Sequence, residues 1–427
     1  MLTKRKKVCV TVLMGILMLG CFPATHLYGF AGGTGEPNNP YQIATAEDLI
    51  SIGSDRDLLD KSYILIDDID MDPNLPGGRV FTDAMIALDD SDGVSGHGGT
   101  AFDGVLDGQG HTIANLHIEG KYGYDAGLFG KLSGLVKDMR LTDVVVSGSP
   151  CGAIAGLNHN GTILRCSVTG QVSGSEDVGG LAGSNWDGSL VECKAQVQVT
   201  GEENVGGMVG GGPGGTLMRC EVQAEVSGQR NVGGLVGESH EGHIIECRTI
   251  CTVIGSNNVG GLIGVSDRTV IWWSSANCKV TAEETTGGLA GRAVWSSGPA
   301  IVNCYAQGSI AGSIVGGLVG EARHNQFINC YAACEIIPLQ TEGTEPLVGG
   351  LFGDTRIPDW APRTIACFWD AELSAVAAGT GSDPLELGRG FTTEQMQDEE
   401  VFRSAGWDFS HTWTMDDYPI LQWESQK

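Results

Sequence analysis

The segment VGGLAGSNWDGSLVECKAQVQVTGEEN, residues 178–204, decides the fold, because the chain repeats it with small changes. Its first six residues recur in nine copies, which begin at residues 125, 151, 178, 205, 232, 259, 286, 315 and 348. The interval is 27 residues between 151 and 286, 26 before that stretch, and 29 and then 33 after it. A fixed period of this size is typical of a solenoid, in which each unit buries its apolar face only against its neighbours. The sequence therefore predicts one elongated all-β solenoid, or β-helix, with insertions at one corner of the later rungs and short capping helices near both ends.

Each unit also contains a stretch in which small apolar residues alternate with polar ones. In one unit the apolar set is Leu164, Cys166, Val168, Gly170 and Val172. A period of two indicates strands with one buried face. We expect three short strands in each rung, joined by glycine-bearing corners, because glycine permits positive φ and close backbone approach.

Ten cysteines extend this alternation into two inward columns. The first column contains Cys166, Cys193, Cys220, Cys247, Cys304, Cys330 and Cys367, with Ser274 in the remaining slot, and the second contains Cys251, Cys278 and Cys334. Stacked parallel strands place ligands in a line, whereas zinc needs a tetrahedron, so no metal site is predicted. The favoured interpretation is a ladder of small buried hydrophobes. A rung-to-rung disulfide is the alternative in an oxidising compartment, with Cys251 and Cys278 as the best pair.

The outward positions of the middle units carry charges of alternating sign. The pairs of consecutive units are Glu192 and Lys194, then Arg219 and Glu221, then Glu246 and Arg248. Rungs lie about 4.8 Å apart, so opposite charges would face each other along and across the strands. A slip by one rung would bring like charges together. The pattern therefore predicts a charge checkerboard that sets the register.

The start of the chain is typical of an export signal. Lys4–Lys7 are basic, Val8–Leu19 are apolar, and Gly29 and Ala31 fit the small-residue cleavage rule. Cys21, in the run MLGC, is the competing site and would make the protein lipid-anchored. Both alternatives predict a secreted, cell-surface or envelope protein, and a membrane is a partner only if Cys21 is lipidated.

Composition divides the chain into a signal peptide at 1–31, an N-terminal cap with the first coils at 32–124, the repeat solenoid at 125–370 and a C-terminal cap at 371–427. In the first cap we predict a helix within residues 40–53, with Thr45 and Asp48 in capping-box positions. In the last cap, residues 392–405 predict a second helix. An aromatic cluster follows it and should cover the last rung, because an open end exposes unpaired strand edges.

The charge balance excludes one class of partner. The chain has 52 acidic and 25 basic residues and a formal net charge of −27. A nucleic-acid binder needs a basic stripe, and no such stripe is present. The protein is expected to be soluble, with an acidic surface.

The search for catalytic motifs yields no catalytic residue and no cofactor. The HEGH run at 240–243 resembles a zinc motif, but its histidines are three residues apart instead of four and no helix carries them. Asp103 and Asp107, in the turn DGVLDGQG, are calcium candidates, although turn-forming aspartates explain them equally well. Because β-helices also host such enzymes, a polysaccharide-active lyase or hydrolase is the alternative function.

The most suggestive binding feature is a line of aromatic residues at outward positions of the late units. Tyr305, Tyr331 and Phe368 each follow an inward cysteine, and Trp273 lies one column away. Exposed stacked rings bind sugars or a partner protein. The alternative is that the rings stabilise the late rungs by stacking on each other.

The repeated VGGLVG unit with a later NCY, at Asn303–Tyr305 and Asn329–Tyr331, resembles the GLUG motif of bacterial IgA-cleaving metallopeptidases and of many exported repeat proteins. The resemblance covers about residues 125 to 370. It implies a surface or secreted location and a non-catalytic repeat region. Peptidase activity is not implied, because the zinc motif is missing. The predicted function is an adhesin, a scaffold or a module that contacts an extracellular polysaccharide or a surface protein.

Overall fold

The 27-residue period becomes one turn of the chain around a continuous apolar core. The structure is a computed structural model that describes residues 29–88, 99–294, 299–340, 344–355, 361–382 and 386–425. Apart from one C-terminal hairpin, its paired strands run parallel to their neighbours, which lie one rung above and one rung below. The predicted β-solenoid is confirmed.

The rungs contribute strands to three sheets, called here sheets 1, 2 and 3. Sheet 1 has twelve strands in the described ranges: Tyr41–Ile43, Ser62–Leu65, Val105–Asp107, Leu135–Lys137, Thr162–Leu164, Ser189–Val191, Thr216–Met218, His243–Ile245, Val270–Trp272, Pro299–Val302, Gln326–Ile328 and Arg363–Ile365. Sheet 2 has nine: Phe129–Leu132, Ala155–His159, Ala182–Trp186, Val209–Gly211, Val236–His240, Ile263–Asp267, Ala290–Val294, Val319–Arg323 and Phe352–Asp354.

Sheet 3 differs because most rungs cross it as a long strand followed by a short one, so that each rung has three faces but four strands. Its strands are Ile69–Asp70, Thr112–Ala114, His117–Ala126, Arg140–Gly152, Ser167–Ser173, Glu176–Gly179, Lys194–Thr200, Glu203–Gly206, Glu221–Ser227, Arg230–Gly233, Arg248–Gly255, Asn257–Gly260, Ser275–Ala282, Thr285–Gly287, Tyr305–Gly312, Ile314–Gly316, Tyr331–Pro338, Leu347–Gly349, Phe368–Asp370 and Arg389–Phe391.

Short helices lie near both ends of the stack. They are α1 (Ala46–Ser51), α2 (Ala371–Ser374), α3 (Thr393–Met396) and α4 (Glu399–Ser404), with 3₁₀ turns at Ile52–Ser54, Arg56–Leu58 and Gln422–Glu424 and an antiparallel hairpin of Trp413–Met415 and Pro419–Leu421. The predicted capping box of α1 is confirmed, because Thr45 Oγ1 accepts from the Asp48 amide at 3.1 Å and Asp48 Oδ2 accepts from the Thr45 amide at 3.1 Å. The predicted second helix is broken into α3 and α4.

At the corners between sheets 1 and 3, glycine does not supply the positive φ that was predicted. Between sheets 1 and 3 the left-handed residue is a polar one in the regular rungs, for example Arg165 (φ 51°), Glu192 (55°) and Arg219 (56°). The predicted close backbone approach is confirmed for the glycines of the hexapeptide, since a Cβ on Gly206 would lie 2.0 Å from Val209 O. They allow close approach of backbone to backbone.

The same corners shift the phase of the alternation. A left-handed residue between two strands reverses which side chains point inward. Leu164 was predicted to be inward, but it is only half-buried, and its neighbour Ile163 is fully buried in its place. From Cys166 onward the predicted phase is confirmed.

The two cysteine columns lie inside the solenoid as predicted. All eleven cysteines of the described ranges are buried free thiols, and burial raises the pKa of Cys151 to about 12. The favoured interpretation, a ladder of buried thiols, agrees with the structure, in which Cys251 and Cys278 of the alternative disulfide are both free. In-register parallel strands keep equivalent Cβ atoms about 4.8 Å apart, whereas a disulfide needs about 3.5–4.5 Å.

Candidate functional site

Outward side chains of the middle rungs pair with each other along the solenoid axis. Arg219 lies between two acids of the adjacent rungs, with Nη1 3.5 Å from Glu192 Oε1 and Nε 2.7 Å from Glu246 Oε2. Lys194 Nζ lies 3.0 Å from Glu221 Oε2. The predicted charge checkerboard is confirmed.

A second ladder was missed by the sequence reasoning. The amide of Asn204 donates to Asp177 Oδ1, that of Asn231 to Asn204 Oδ1 and that of Asn258 to Asn231 Oδ1, each at 2.9 Å. These four residues have φ between 51° and 55°, the left-handed region that Asn and Asp tolerate best. The signal was present, because Asp or Asn directly precedes VGG in four successive copies.

An open cleft of about 450 Å³ lies on the early rungs, where sheet 1 turns into sheet 3. We call it the ionic cleft. Its charged lining consists of Asp107, Lys137, Asp138, Arg140 and Arg165. Neighbouring strands bring these residues together, since Asp107 pairs with Lys137 in sheet 1, and Thr112 pairs with Arg140 in sheet 3.

Hydrogen bonds engage both oxygens of Asp138 and both oxygens of Asp107 in the ionic cleft. Asp138 accepts from Arg165 Nε at 2.6 Å and from Arg165 Nη2 at 2.8 Å. Asp107 accepts from Lys137 Nζ and from both the side chain and the backbone of Gln109. The Arg165 guanidinium holds the pKa of Asp138 below its ordinary value, because the hydrogen bonds favour the charged form.

These contacts contradict the calcium expectation. The ammonium group of Lys137 takes the position beside Asp107 that a cation would need, and Asp103 is exposed on the preceding turn. Within the described ranges, no group of three or more His, Cys, Asp or Glu side chains is arranged to hold a metal ion. Asp107 is the turn-forming aspartate of the alternative interpretation.

The predicted aromatic line exists, but it is not an exposed face. Tyr305 and Tyr331 stack with ring centroids 5.1 Å apart and an interplanar angle of 4°. Their exposed fractions are 4% and 0%, and that of Phe368 is 6%. Trp273 is half-buried beside them. The prediction of a stripe open to sugars is therefore wrong, and the rings belong to a second apolar core.

The segment that buries this line is residues 391–425, called here the C-terminal strap. It contains α3, α4 and the hairpin. Tyr331 Oη donates to Pro419 O at 2.7 Å, and Trp423 Nε1 donates to Trp273 O at 3.0 Å. The aromatic cluster was expected to cover the last rung, but it lies along the side of sheet 3. The reason is that the outward rings there offer an apolar surface that needs cover.

The end of the strap carries a buried carboxylate. Glu424 is 8% exposed, accepts from Tyr305 Oη at 2.6 Å through Oε2, and accepts from the Ser275 hydroxyl through Oε1. Burial, followed by the charge of Glu424, raises the pKa of Tyr305 well above its ordinary value. The phenol therefore stays protonated and donates to the carboxylate.

The remaining motif residues do not form a site. His240 of the HEGH run lies between Glu238 Oε1, 3.1 Å from Nε2, and Asp267 Oδ2, 2.8 Å from Nδ1, while His243 is exposed. The lipidation candidate Cys21 lies outside the described residues. In the part of the chain that the structure covers, none of the helices has the length and apolar character needed to cross a bilayer.

Comparison with known proteins finds partial relatives. No family model matches the chain, so the GLUG resemblance stays a prediction. The chain is 35% identical over 150 residues to halomucin of Haloquadratum walsbyi, covering 34% of this chain and 2% of halomucin. It is 33% identical over 142 residues to a protein of Evansella cellulosilytica named as a Gly-rich membrane protein, covering 30% of this chain and 14% of that protein. The chain thus spans a small part of the length of both relatives.

Two solved structures align with the chain. One, named as an immunoglobulin A1 protease of Bacteroides ovatus, aligns over 92% of this chain and 95% of its own, at 19% identity and a TM-score of 0.41. The other, named IgA1 protease, aligns over 82% and 21% respectively, at 15% identity and a TM-score of 0.33. Neither likeness bears on the activity of this chain.

Proposed function

We propose that the chain is a non-catalytic solenoid at the cell surface or outside the cell, where it acts as an adhesin, a scaffold or a module that contacts carbohydrate or protein. The observation that carries this proposal is the pairing of outward side chains along the axis. In the middle rungs the acids of the checkerboard are bound to cations of an adjacent rung, so these carboxylates link neighbouring rungs.

The location rests on two kinds of support. The first residues have the composition of an export signal, and the two relatives are named as a halomucin and as a Gly-rich membrane protein. Both names agree with an envelope or extracellular position. Lipid anchoring through Cys21 is the alternative mode of attachment.

A polysaccharide-active lyase or hydrolase is the second candidate, because the ionic cleft brings carboxylates and bases together. The hydrogen bonds of Asp138 argue against its use as a general acid. A general acid needs a raised carboxyl pKa, whereas Arg165 lowers that of Asp138. Both carboxylates of the cleft are also bound to cations.

Two measurements on the native host and the purified protein test the proposal. Antibodies against the chain should label intact cells or the culture medium, and mass analysis of the mature N-terminus should show cleavage near residue 31 or a lipid on Cys21. Incubation with acidic polysaccharides should leave their chain length and ultraviolet absorbance unchanged. Labelling only after cell lysis would contradict the location, and shortened polymers would establish the enzyme.

A further inference from the structure

The ionic cleft brings several basic side chains of this acidic protein close together. The chain has 25 Lys and Arg residues, and four of them lie at positions 4–7. Three of the other 21 line this one cleft. The lining of the cleft carries three cations and two carboxylates, and the charges of Asp68 and Glu192 act on Arg140 and Arg165 from outside this lining. Its volume falls within the range of about 300–1,000 Å³ that is usual for small-molecule sites.

The carboxylates have little capacity left for a ligand, whereas the cations keep several donors. A guanidinium has five N–H donors. Arg140 Nη1 donates to Gly110 O at 2.7 Å, and no ion pair within the described ranges engages Arg140. Arg165 uses two of its five donors on Asp138. The groups that remain available in the cleft are therefore hydrogen-bond donors with positive charge.

Such donors match one class of ligand. Arginine recognises planar or tetrahedral oxyanions through paired N–H···O bonds. The hydroxyl of Ser167 and the amide of Gln109 also line the cleft and suit the neutral oxygens of a sugar ring.

A further cation, Lys194, lies beyond the lining of the cleft along the stack, where it also pairs with Glu221 at 3.0 Å. Ser167 pairs in register with Arg140 on one side and with Lys194 on the other. Arg140 and Lys194 are therefore two rungs apart, about 9.5 Å at the usual strand spacing. This arrangement suits a chain that bears anionic groups at intervals better than it suits a single small anion.

We propose that the ionic cleft binds the acidic groups of a polysaccharide, either uronic-acid carboxylates or sugar sulfates, through Arg140, Lys137 and Arg165. This inference rests on the proposed function, because it names the class of carbohydrate that the extracellular solenoid contacts. The protein elsewhere repels acidic polymers, so binding is confined to the cleft and weakens as salt screens the charges.

The test uses the full mature chain and three oligosaccharides of equal length: one of uronic acid, one sulfated and one neutral. Titration calorimetry in low salt should give binding for one or both anionic ligands and none for the neutral one, and the stronger of the two identifies the source of the oxyanion. Arg140→Gln leaves the two ion pairs of the cleft in place and should weaken binding about tenfold, the loss of one charged hydrogen bond.

Two further variants make the result decisive. Lys279→Gln removes one positive charge from an exposed side chain of sheet 3 remote from the cleft, and it should bind like the parent. Asp138→Asn frees Arg165 and should strengthen binding several-fold; Asn suits the left-handed backbone at this position, where φ is 54°.

An equal loss of affinity in Arg140→Gln and Lys279→Gln, or an equal affinity for the neutral oligosaccharide, would contradict binding at the ionic cleft. A carbohydrate-contacting function would then still stand. Absence of binding to all three oligosaccharides would overturn the inference alone, because the surface location is measured separately on intact cells.

Discussion

The early and late rungs have the same backbone arrangement, but they differ in the side chains of one outward column of sheet 3 and in whether that column is exposed. Along the axis this column contains Arg140, Ser167, Lys194, Glu221, Arg248, Ser275, Tyr305, Tyr331 and Phe368. In the charged half, Lys194 pairs with Glu221, and the charged side chains remain exposed or half-buried. The aromatic half is buried beneath the C-terminal strap. The side chain at one position of the repeat therefore decides whether a face of the solenoid is a surface or a second core.

The largest effect is expected in the aromatic half, from Tyr331→Ala. Tyr331 is fully buried, stacks on Tyr305 and donates to Pro419 O. Removal of a buried aromatic ring costs about 3–5 kcal/mol of unfolding free energy. Denaturant unfolding should show this loss, whereas Tyr122→Ala, at a side chain that is 70% exposed, should stay within about 0.5 kcal/mol. Equal effects of the two variants would mean that the strap does not seal this face.

The second prediction concerns how the stability of the aromatic half depends on pH. Burial, followed by Glu424, raises the pKa of Tyr305 in the folded state, while an unfolded tyrosine titrates near about pH 10. Because the folded pKa is the higher one, its contribution to stability is complete below about pH 10 and is lost as the pH rises further. The strap should therefore loosen in alkali, and Trp413 and Trp423 fluorescence should report it.

The ionic cleft should respond at the acid end of the scale, as acid unfolding curves would show. The pKa of Asp138 is lowered by Arg165, so the contribution of Asp138 to folding stability is present above the ordinary Asp pKa of about 3.9 and is lost as the pH falls below it.

The variant Tyr305→Phe is the control for the alkaline prediction. It should reduce the loss of stability in alkali while leaving the loss in acid unchanged. An alkaline transition of the same size in Tyr305→Phe would contradict the assignment to this phenol.

A smaller effect is expected from Arg219→Glu in the checkerboard. The change breaks two ion pairs and places three acids on successive rungs. Exposed pairs are worth about 0.2–1 kcal/mol each, so the total loss should be about 1–2 kcal/mol in low salt and should shrink in high salt. Arg219→Gln, which removes the pairs without adding repulsion, should lose about half as much. A loss that salt does not change would show that the ladder acts through packing.

The smallest effect is expected at the boundary of the two halves, from Ser274→Cys. Ser274 fills the only gap in the first cysteine column of the described rungs, where its hydroxyl donates to Trp272 O at 2.9 Å and accepts from the Cys247 amide at 3.1 Å. A thiol fits the same slot as a small hydrophobe, so stability should change by less than about 0.5 kcal/mol. Native-state labelling with a thiol reagent should modify neither the new cysteine nor its neighbours; rapid labelling would mean that the column opens at this rung.

The features that followed from the sequence are those that repeat. The copies of VGGLAG placed the inward cysteines, and the alternation of Glu192, Arg219 and Glu246 predicted ion pairs that form between adjacent rungs. Each prediction needed only a residue and its equivalent one period away. The corner conformation was predicted only in part, because glycine was expected to supply the positive φ that Arg165 and its equivalents adopt.

The features that were missed depend on segments without a period. Trp423 donates to the carbonyl of Trp273, 150 residues earlier in the chain, and no repeat relates the two. The ionic cleft was missed because Asp107 precedes the regular copies, so its pairing with Lys137 could not be read from a 27-residue interval.

The sequence by itself determined that the chain is a solenoid, which residues line its interior and how its rungs are aligned, because each rung makes its contacts with the rung one period away. Only the tertiary structure decided which outward residues remain exposed. The strap folds back across the aromatic half of the column and leaves the charged half exposed. Burial of apolar rings is favourable, whereas burial of charged side chains would remove their hydration.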